Sequence, residues 1–445
     1  MKIPRKAPNL KDKQQELLSS PEKFDLVKQE ASRTEAEGKY RHWDVLRHLT
    51  PPSGLTHEEW WLGIKMHRLS QMKSIPLWDR DKKSPFSYNL PNKLLEQLHQ
   101  IDREYGGSPT PLNPIVNPHT RDQYLVHSLI QEAITSSQIE GAATTRRVAK
   151  AMLMSGRRPR DKSEQMILNN FRTMEQIRIW KDRPLDKGLV FEIHKMVTEL
   201  TLDESSAVGR FRLEEETVIV EESFTHEVLH NPPPANELSG QLEAMCDFAN
   251  GKTPSYFVHP IIRAMILHFW LAYDHPFVDG NGRTARALFY WLILRSGYWL
   301  FEFISISEVI LQAPVQYGEA FLYTETDQND LTYFIIHQAD VIRKSIQSLH
   351  QYVDRKTKEL SGIEALMNQK SDFNYRQEAL LAHALRHKTA VYTIGAHKNS
   401  HDIAYDTARQ DLQGLHEKSL LKMSKKGKAF VFTPHPNLGE LLRKE

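Results

Sequence analysis

The stretch His275-Pro276-Phe277-Val278-Asp279-Gly280-Asn281-Gly282-Arg283-Thr284-Ala285-Arg286 decides how this 445-residue chain is read. It lies between two apolar segments with helical spacing, residues 260–273 and 284–294. Gly280 and Gly282 let the backbone take conformations that side chains forbid, so successive N–H groups can converge on an anion. The helix expected to follow adds its positive N-terminal end at the same point. Arg283 and Arg286 stand three apart, on one face of that helix's first turn, where both can meet a polyphosphate. Asp279 offers the hard oxygen that a phosphate-bridging magnesium takes. His275 is the group whose ordinary pKa suits proton abstraction near neutrality. A plain capped loop between two core helices does not require this combination in this order.

These residues match, at every specified position, the HPFx(D/E)GNGRxxR signature of the Fic (filamentation induced by cAMP) family, which the chain resembles over roughly residues 91–350. The resemblance implies a mainly α fold: a Fic helical bundle with a short β-hairpin flap. It implies a nucleotidyltransferase, specifically a protein adenylyltransferase that moves AMP from ATP to a Ser, Thr or Tyr hydroxyl of a target protein. ATP is then the substrate and magnesium the metal, with manganese as the alternative ion. Carried over residue by residue, His275 is the general base and Asp279 the metal ligand. Gly280, Asn281 and Gly282 form the anion hole, Arg283 holds phosphate oxygens, and Arg286 clamps the γ-phosphate. Tyr317 falls where members often place an adenine-contacting tyrosine. Transfer of UMP, phosphate or phosphocholine, and a nucleotide-sensing transcription regulator, are the alternatives. Self-modification and a homodimer are compatible with the main reading.

Upstream, residues 124–140 carry an amphipathic stripe at Leu125, Leu129, Ile130, Ala133 and Ile134. Gly141 follows as a C-cap, which leaves Glu140 in the last turn, where the helix dipole disfavours an anion. Ser136-x-x-x-Glu140-Gly141 resembles the family's (S/T)xxxE(G/N) inhibitory motif. The resemblance implies that Glu140 pairs with Arg286, braced by Ser136, and so blocks productive ATP alignment. Between the two motifs, Gly209-Arg-Phe-Arg212, a β-like run and the Pro-rich His230–Pro234 resemble the flap layout, which holds the target by strand addition. The flap is expected at Thr217, Val218, Ile219, Val220, Glu221, Glu222 and Ser223.

Length allows two or three domains. Fifty-eight Lys and Arg against 56 Asp and Glu leave +2, so overall charge argues neither for nor against nucleic acid. A single cysteine, Cys246, excludes an internal disulfide and a multi-cysteine metal site. The charged start lacks the apolar run of a signal peptide, and no run is long enough for a membrane helix. The expected setting is cytoplasmic, without membrane.

Further out, residues 1–38 read as a polar arm and 39–90 as an N-terminal helical region broken at Pro51-Pro52, with Thr56 and Glu59 as a capping box. The string Lys39-Tyr-Arg-His-Trp43 reads as aromatic packing rather than a binding site. His259 and His268 read as capping or buried histidines, not metal ligands. The catalytic domain spans 91–353, with the inhibitory helix at 124–141. Residues 361–445 carry helices at 374–385 and 400–417, a turn at 393–398, and two strands flanking Lys425-Lys426-Gly427. That pattern resembles a winged helix-turn-helix with Arg409 on its reading helix. Thirteen Lys and Arg against nine Asp and Glu give this segment only +4, so a protein-docking wing is favoured over DNA contact.

Overall fold

The computed structural model describes residues 2–106, 118–222, 225–364, 373–426 and 429–444, which are mainly helical with a few short strands. They gather into two compact units. One comprises Met1–Gly106, Gln176–Trp299 and Val309–Arg343; the other comprises Gly107–Glu175, Leu300–Glu308 and Lys344–Glu445. This division departs from the expected boundaries, because the helix bearing Ser136 groups with the C-terminal residues rather than with the catalytic segment.

The first unit is built on the helices Pro260–Asp274 and Asn281–Arg295. Both are apolar around nearly their whole circumference and are covered on all sides, with Ile262, Phe269, Trp270, Leu288, Phe289 and Trp291 buried. Pro260 opens the first helix, where its missing N–H costs nothing, and His259 caps it by accepting from the Ile261 N–H. The strands Lys73–Trp78 and Pro85–Tyr88 pair antiparallel inside the region expected to be wholly helical. Their inward residues Ile75, Leu77, Phe86 and Tyr88 are buried at period two, and the Phe86 ring lies 4.9 Å from that of Tyr273. That alternation, not a helical stripe, is what the region's apolar residues encode.

Residues 1–38 also correct the sequence reading. They form the helices Lys11–Leu18 and Pro21–Ala36, and Leu17, Val27 and Ala31 join Leu46, Trp60, Trp61 and Ile64 in one buried cluster. The facing helix His57–Leu69 starts at the expected Thr56–Glu59 capping box. Its fully buried Arg68 donates to Glu35 at 2.8 Å and to the Tyr333 hydroxyl at 3.0 Å, with the Tyr40 ring 3.6 Å away. Tyr40 in turn donates to Asp330 at 2.7 Å, and His42 stacks on Tyr323. The Lys39–Trp43 string is therefore a packing seam.

In the second unit the helices Pro118–Ile139, Arg146–Ser155 and Lys162–Trp180 contribute Ile130, Ala133, Ile134, Ala149, Met152 and Ile167 to a common core. Residues 374–444 hold the helices Tyr375–Arg386, Ile394–His401 and Tyr405–Glu417 with a three-stranded antiparallel sheet, Tyr392–Thr393, Ala429–Pro434 and Leu421–Lys426 in spatial order. The expected turn at 393–398 is instead a helix, capped by the Thr393 hydroxyl on the Ala396 N–H. Of the expected basic tip, Gly427 lies outside the described residues.

Asp411, expected on a reading helix, is buried. Its carboxylate accepts from Asn374 at 2.7 Å, Arg376 at 2.7 and 3.0 Å, and His397 at 3.1 Å. Removing it strands Arg376 and His397 without their shared acceptor. Asp411→Ala should cost about 3–5 kcal/mol. Urea unfolding monitored on this segment checks it, and a loss below about 1 kcal/mol would reduce the cluster to a surface pair.

Candidate active site

The helix Pro260–Asp274 ends where His275 turns left-handed, at φ 45° and ψ 54°, with its N–H on the Leu271 carbonyl. The ring Nδ1 stands 3.2 Å from the Ala272 carbonyl oxygen. A carbonyl can only accept, so Nδ1 carries the proton and Nε2 is the basic nitrogen. Arg212 fixes this turn from the side. Its Nε donates to the His275 carbonyl at 3.0 Å, a second nitrogen donates to the Pro233 carbonyl, and its backbone N–H meets the Pro276 carbonyl at 2.9 Å.

His194, on the helix Lys187–Thr198, fixes the next stretch. Its ring stacks on Phe277 at 3.7 Å and 9°. The Gly209 N–H can only donate, so Nδ1 accepts it at 3.1 Å, and Nε2 donates to the Asp279 carbonyl at 3.0 Å. Burial pushes the His194 pKa down to about 4, with Arg283 adding to the effect and the Asp279 carbonyl opposing it. The fold therefore binds the neutral ring. Its contribution is present above the unfolded pKa of about 6.5 and is lost as pH falls toward 4. His42, held at about 4 by burial, acts in the same window. The thermal midpoint should fall between about pH 6.5 and pH 4.5. A midpoint that stays flat there would show that these rings are not held neutral.

Gly280 caps the helix Asn281–Arg295 at φ 83°, and a Cβ there would come 2.6 Å from Thr198 Cγ2. Both conformation and space require glycine. The Asn281 side chain accepts from the Phe277 N–H at 2.9 Å and donates to its carbonyl at 2.8 Å, so it clips the loop shut. Its backbone N–H, in the first turn of the helix, is the Asn281 donor placed to meet an anion there. The first helical N–H groups, of Asn281, Gly282 and Arg283, have no carbonyl four residues back within the helix. Arg283 and Arg286 are 0% and 1% exposed. Arg283 donates to the Val197 carbonyl at 2.6 Å and lies 3.7 Å from the Asp279 carboxylate. Asp279 itself is 48% exposed. Two buried cations behind a helix N-terminus make a fixed positive pole suited to an anion with several charges. Thr284 and Ala285, which the motif leaves open, face the core.

Tyr317 bonds through its hydroxyl to His268 Nε2 at 2.9 Å. His268 is fully buried, and burial followed by the Arg286 charge drives its pKa far below the ordinary value. His268 is thus a buried core histidine that holds the Tyr317 hydroxyl. Of the expected flap, only Val220 and Glu221 are strand, paired with Val228–His230. Thr217, Val218 and Ile219 precede it without strand pairing, Glu222 follows it, and Ser223 lies outside the described residues. His230 anchors the return strand, with Nδ1 2.8 Å from Glu325 and Nε2 2.7 Å from the Tyr273 carbonyl. Both partners accept, so both nitrogens carry protons. Burial lowers the His230 pKa, and the bond to Glu325 more than reverses it. Sequence reasoning missed His194, Arg212 and His230 as site residues. The only trace of Arg212 was the G-x-x-R layout.

Ser136 is buried near the end of the helix Pro118–Ile139, and Gly141 follows at φ 91°. Glu140 N–H bonds to the Ser137 carbonyl at 3.2 Å, and Gly141 N–H to that of Gln138 at 3.1 Å, which closes the helix end.

Residues 184–293 match the Fic/DOC family profile. A protein adenylyltransferase Fic of Nematostella vectensis is 26% identical over 228 residues, covering 51% of this chain and 50% of that one. The protein adenylyltransferase Fic of Drosophila willistoni is 39% identical over 69 residues, covering 16% of this chain and 14% of its own length. The chain thus spans half or less of the curated relatives it matches. A solved Fic family protein from Desulfovibrio desulfuricans G20 is 19% identical with a TM-score of 0.49, covering 78% of this chain and 95% of that one. Fic-1 from C. elegans is 22% identical with a TM-score of 0.45, covering 59% and 72%. The twelve residues His275–Arg286, at the turn between the helices Pro260–Asp274 and Asn281–Arg295 and in the first turns of the second, lie inside the segment 184–293 that matches the Fic/DOC family.

Proposed function

We propose that the chain is a protein adenylyltransferase that transfers AMP from ATP to a hydroxyl side chain of a target protein. One observation carries the reading: His275 has its basic Nε2 set by the Ala272 carbonyl, one loop away from a helix N-terminus backed by two buried arginines. The target hydroxyl attacks the α-phosphorus, His275 Nε2 takes its proton, and pyrophosphate leaves. The N–H groups of residues 280–282 and Arg283 stabilise charge on the transferring group, and Arg286 holds the γ-phosphate. Tyr317, its hydroxyl held by His268, is retained as the adenine neighbour. Asp279, a half-exposed carboxylate, would be the residue to hold a magnesium ion. When bound, that ion neutralises charge shared by the α- and β-phosphates.

In the same reading Glu140, at the end of the Pro118–Ile139 helix, restrains Arg286 and keeps the resting enzyme slow. The strand Val220–Glu221, with residues 217–223 around it, receives the target segment main chain to main chain. Residues 375–434 act as a winged module that docks protein rather than DNA. No helix among the described residues is long and apolar enough to cross a membrane.

ATP labelled on the α-phosphate against ATP labelled on the γ-phosphate tests the reaction. Label retained on protein only from the α-position supports AMP transfer. Label from the γ-position makes the chain a phosphate transferase, and none from either overturns the reading.

A further inference from the structure

Within the second unit lies a cavity of about 330 Å³. That volume is in the range of small-molecule sites. Its walls come from the helices Pro118–Ile139 and Arg146–Ser155, from the far half of the helix Thr332–Glu364, and from the 375–401 segment. Two lysines line it, Lys150 from one wall and Lys356 from another, and no aspartate or glutamate does.

The lining shows crowding of positive charge. Lys150, exposed where it lines the cavity, has its pKa lowered by partial desolvation against the wall and by repulsion from Lys356 and Arg146. Burial holds His127 neutral at about 3, and Lys150, Arg146, Lys356 and Arg355 all push the same way. His383, on a third wall and exposed to solvent, has its pKa lowered to about 4 by partial desolvation and by repulsion from His387, Arg386, Lys356 and Lys150. Like charges gathered around a hollow raise its energy, and an anion in the hollow lowers it.

The remaining lining sets the shape of the guest. His127 lies flat on Tyr352, with centroids 4.0 Å apart and planes 7° from parallel. Tyr392, its hydroxyl 2.8 Å from His383 Nδ1, and the apolar Ile130, Met154 and Leu380 complete the wall. A flat apolar body is matched by these surfaces and by nothing a bare inorganic ion offers.

We infer that this cavity binds a small aromatic anion, its carboxylate or phosphate between Lys150 and Lys356 and its ring along the His127–Tyr352 pair. The same helix that supplies Val126, His127 and Ile130 to the cavity ends at Ile139, one residue before Glu140. A guest there touches the helix that carries the proposed brake.

Isothermal titration calorimetry of the full chain with phenyl phosphate and with benzoate tests this, the two probes separating phosphate from carboxylate. One site per chain for at least one probe is expected, unchanged by saturating ATP and magnesium. Lys150→Ala with Lys356→Ala should weaken binding about tenfold or more, while the paired arginine replacements retain it. Ala396→Phe, which fills the hollow and leaves every charge in place, should abolish binding. Circular dichroism confirms that each variant folds. Absence of binding by both probes at millimolar concentration overturns the inference. So does displacement by ATP, or affinity that neither the lysine pair nor the filled cavity alters. Because the readout is binding, failure here leaves AMP transfer untouched, and failure of AMP transfer leaves this site standing.

Discussion

His275→Ala should slow AMP transfer by about 10²–10⁴-fold, the usual loss on removing a general base. The His275 ring bonds to the Ala272 carbonyl, and Arg212, His194 and Asn281 also hold the loop. Fold and ATP affinity should therefore survive the change. Single-turnover labelling with α-labelled ATP, alongside nucleotide titration, separates the two effects. Labelling at the parent rate would mean another group takes the proton. Lost ATP binding would mean that the imidazole holds the loop's shape rather than serving as base.

Glu140→Gly should raise AMP incorporation strongly, including onto the chain itself. Catalysis of this kind depends on aligning the phosphates, so a carboxylate occupying Arg286 costs rate rather than ATP affinity. The substitution also removes an anion from a helix end, where the dipole disfavours it, so the helix should not suffer. Glu140→Asp should activate less, because the shorter side chain can still reach the arginine through water. Glu140→Gly combined with Arg286→Ala should be inactive. Arg286 is buried, so the double variant needs a thermal melt to show that it is folded. Equal incorporation by parent and Glu140→Gly at matched magnesium would return Glu140 to an ordinary helix-end carboxylate.

The signature loop was legible because its chemistry-bearing residues are local: histidine, carboxylate, glycines and arginines fall within twelve consecutive positions. The residues that hold the loop were not legible. His194 sits on an amphipathic helix where a core histidine looks the same, and its two hydrogen bonds reach residues 15 and 85 positions away. The N-terminal 38 residues looked too polar to pack, yet three small or mid-sized apolar side chains suffice there. Gly63 lets the helix Pro21–Ala36 come so close that a Cβ would stand 2.6 Å from Val27 Cγ1 and 2.8 Å from its carbonyl oxygen. Only the pair of helices reveals that glycine's purpose. The flap was placed by its β-branched run, but irregular pairing leaves two residues of the expected seven as strand. The burial of Asp411 was not legible either, since polar residues at helical spacing say nothing about which of them turns inward.

The left-handed backbone at His275 bears on how such a site persists through descent. A residue with a Cβ held at φ 45° carries a cost of about 1 kcal/mol that glycine would not. Drift toward glycine at this one position is therefore downhill for folding and fatal to the proton transfer. A lineage released from selection on the chemistry would be expected to lose the imidazole early while the surrounding helices remain intact.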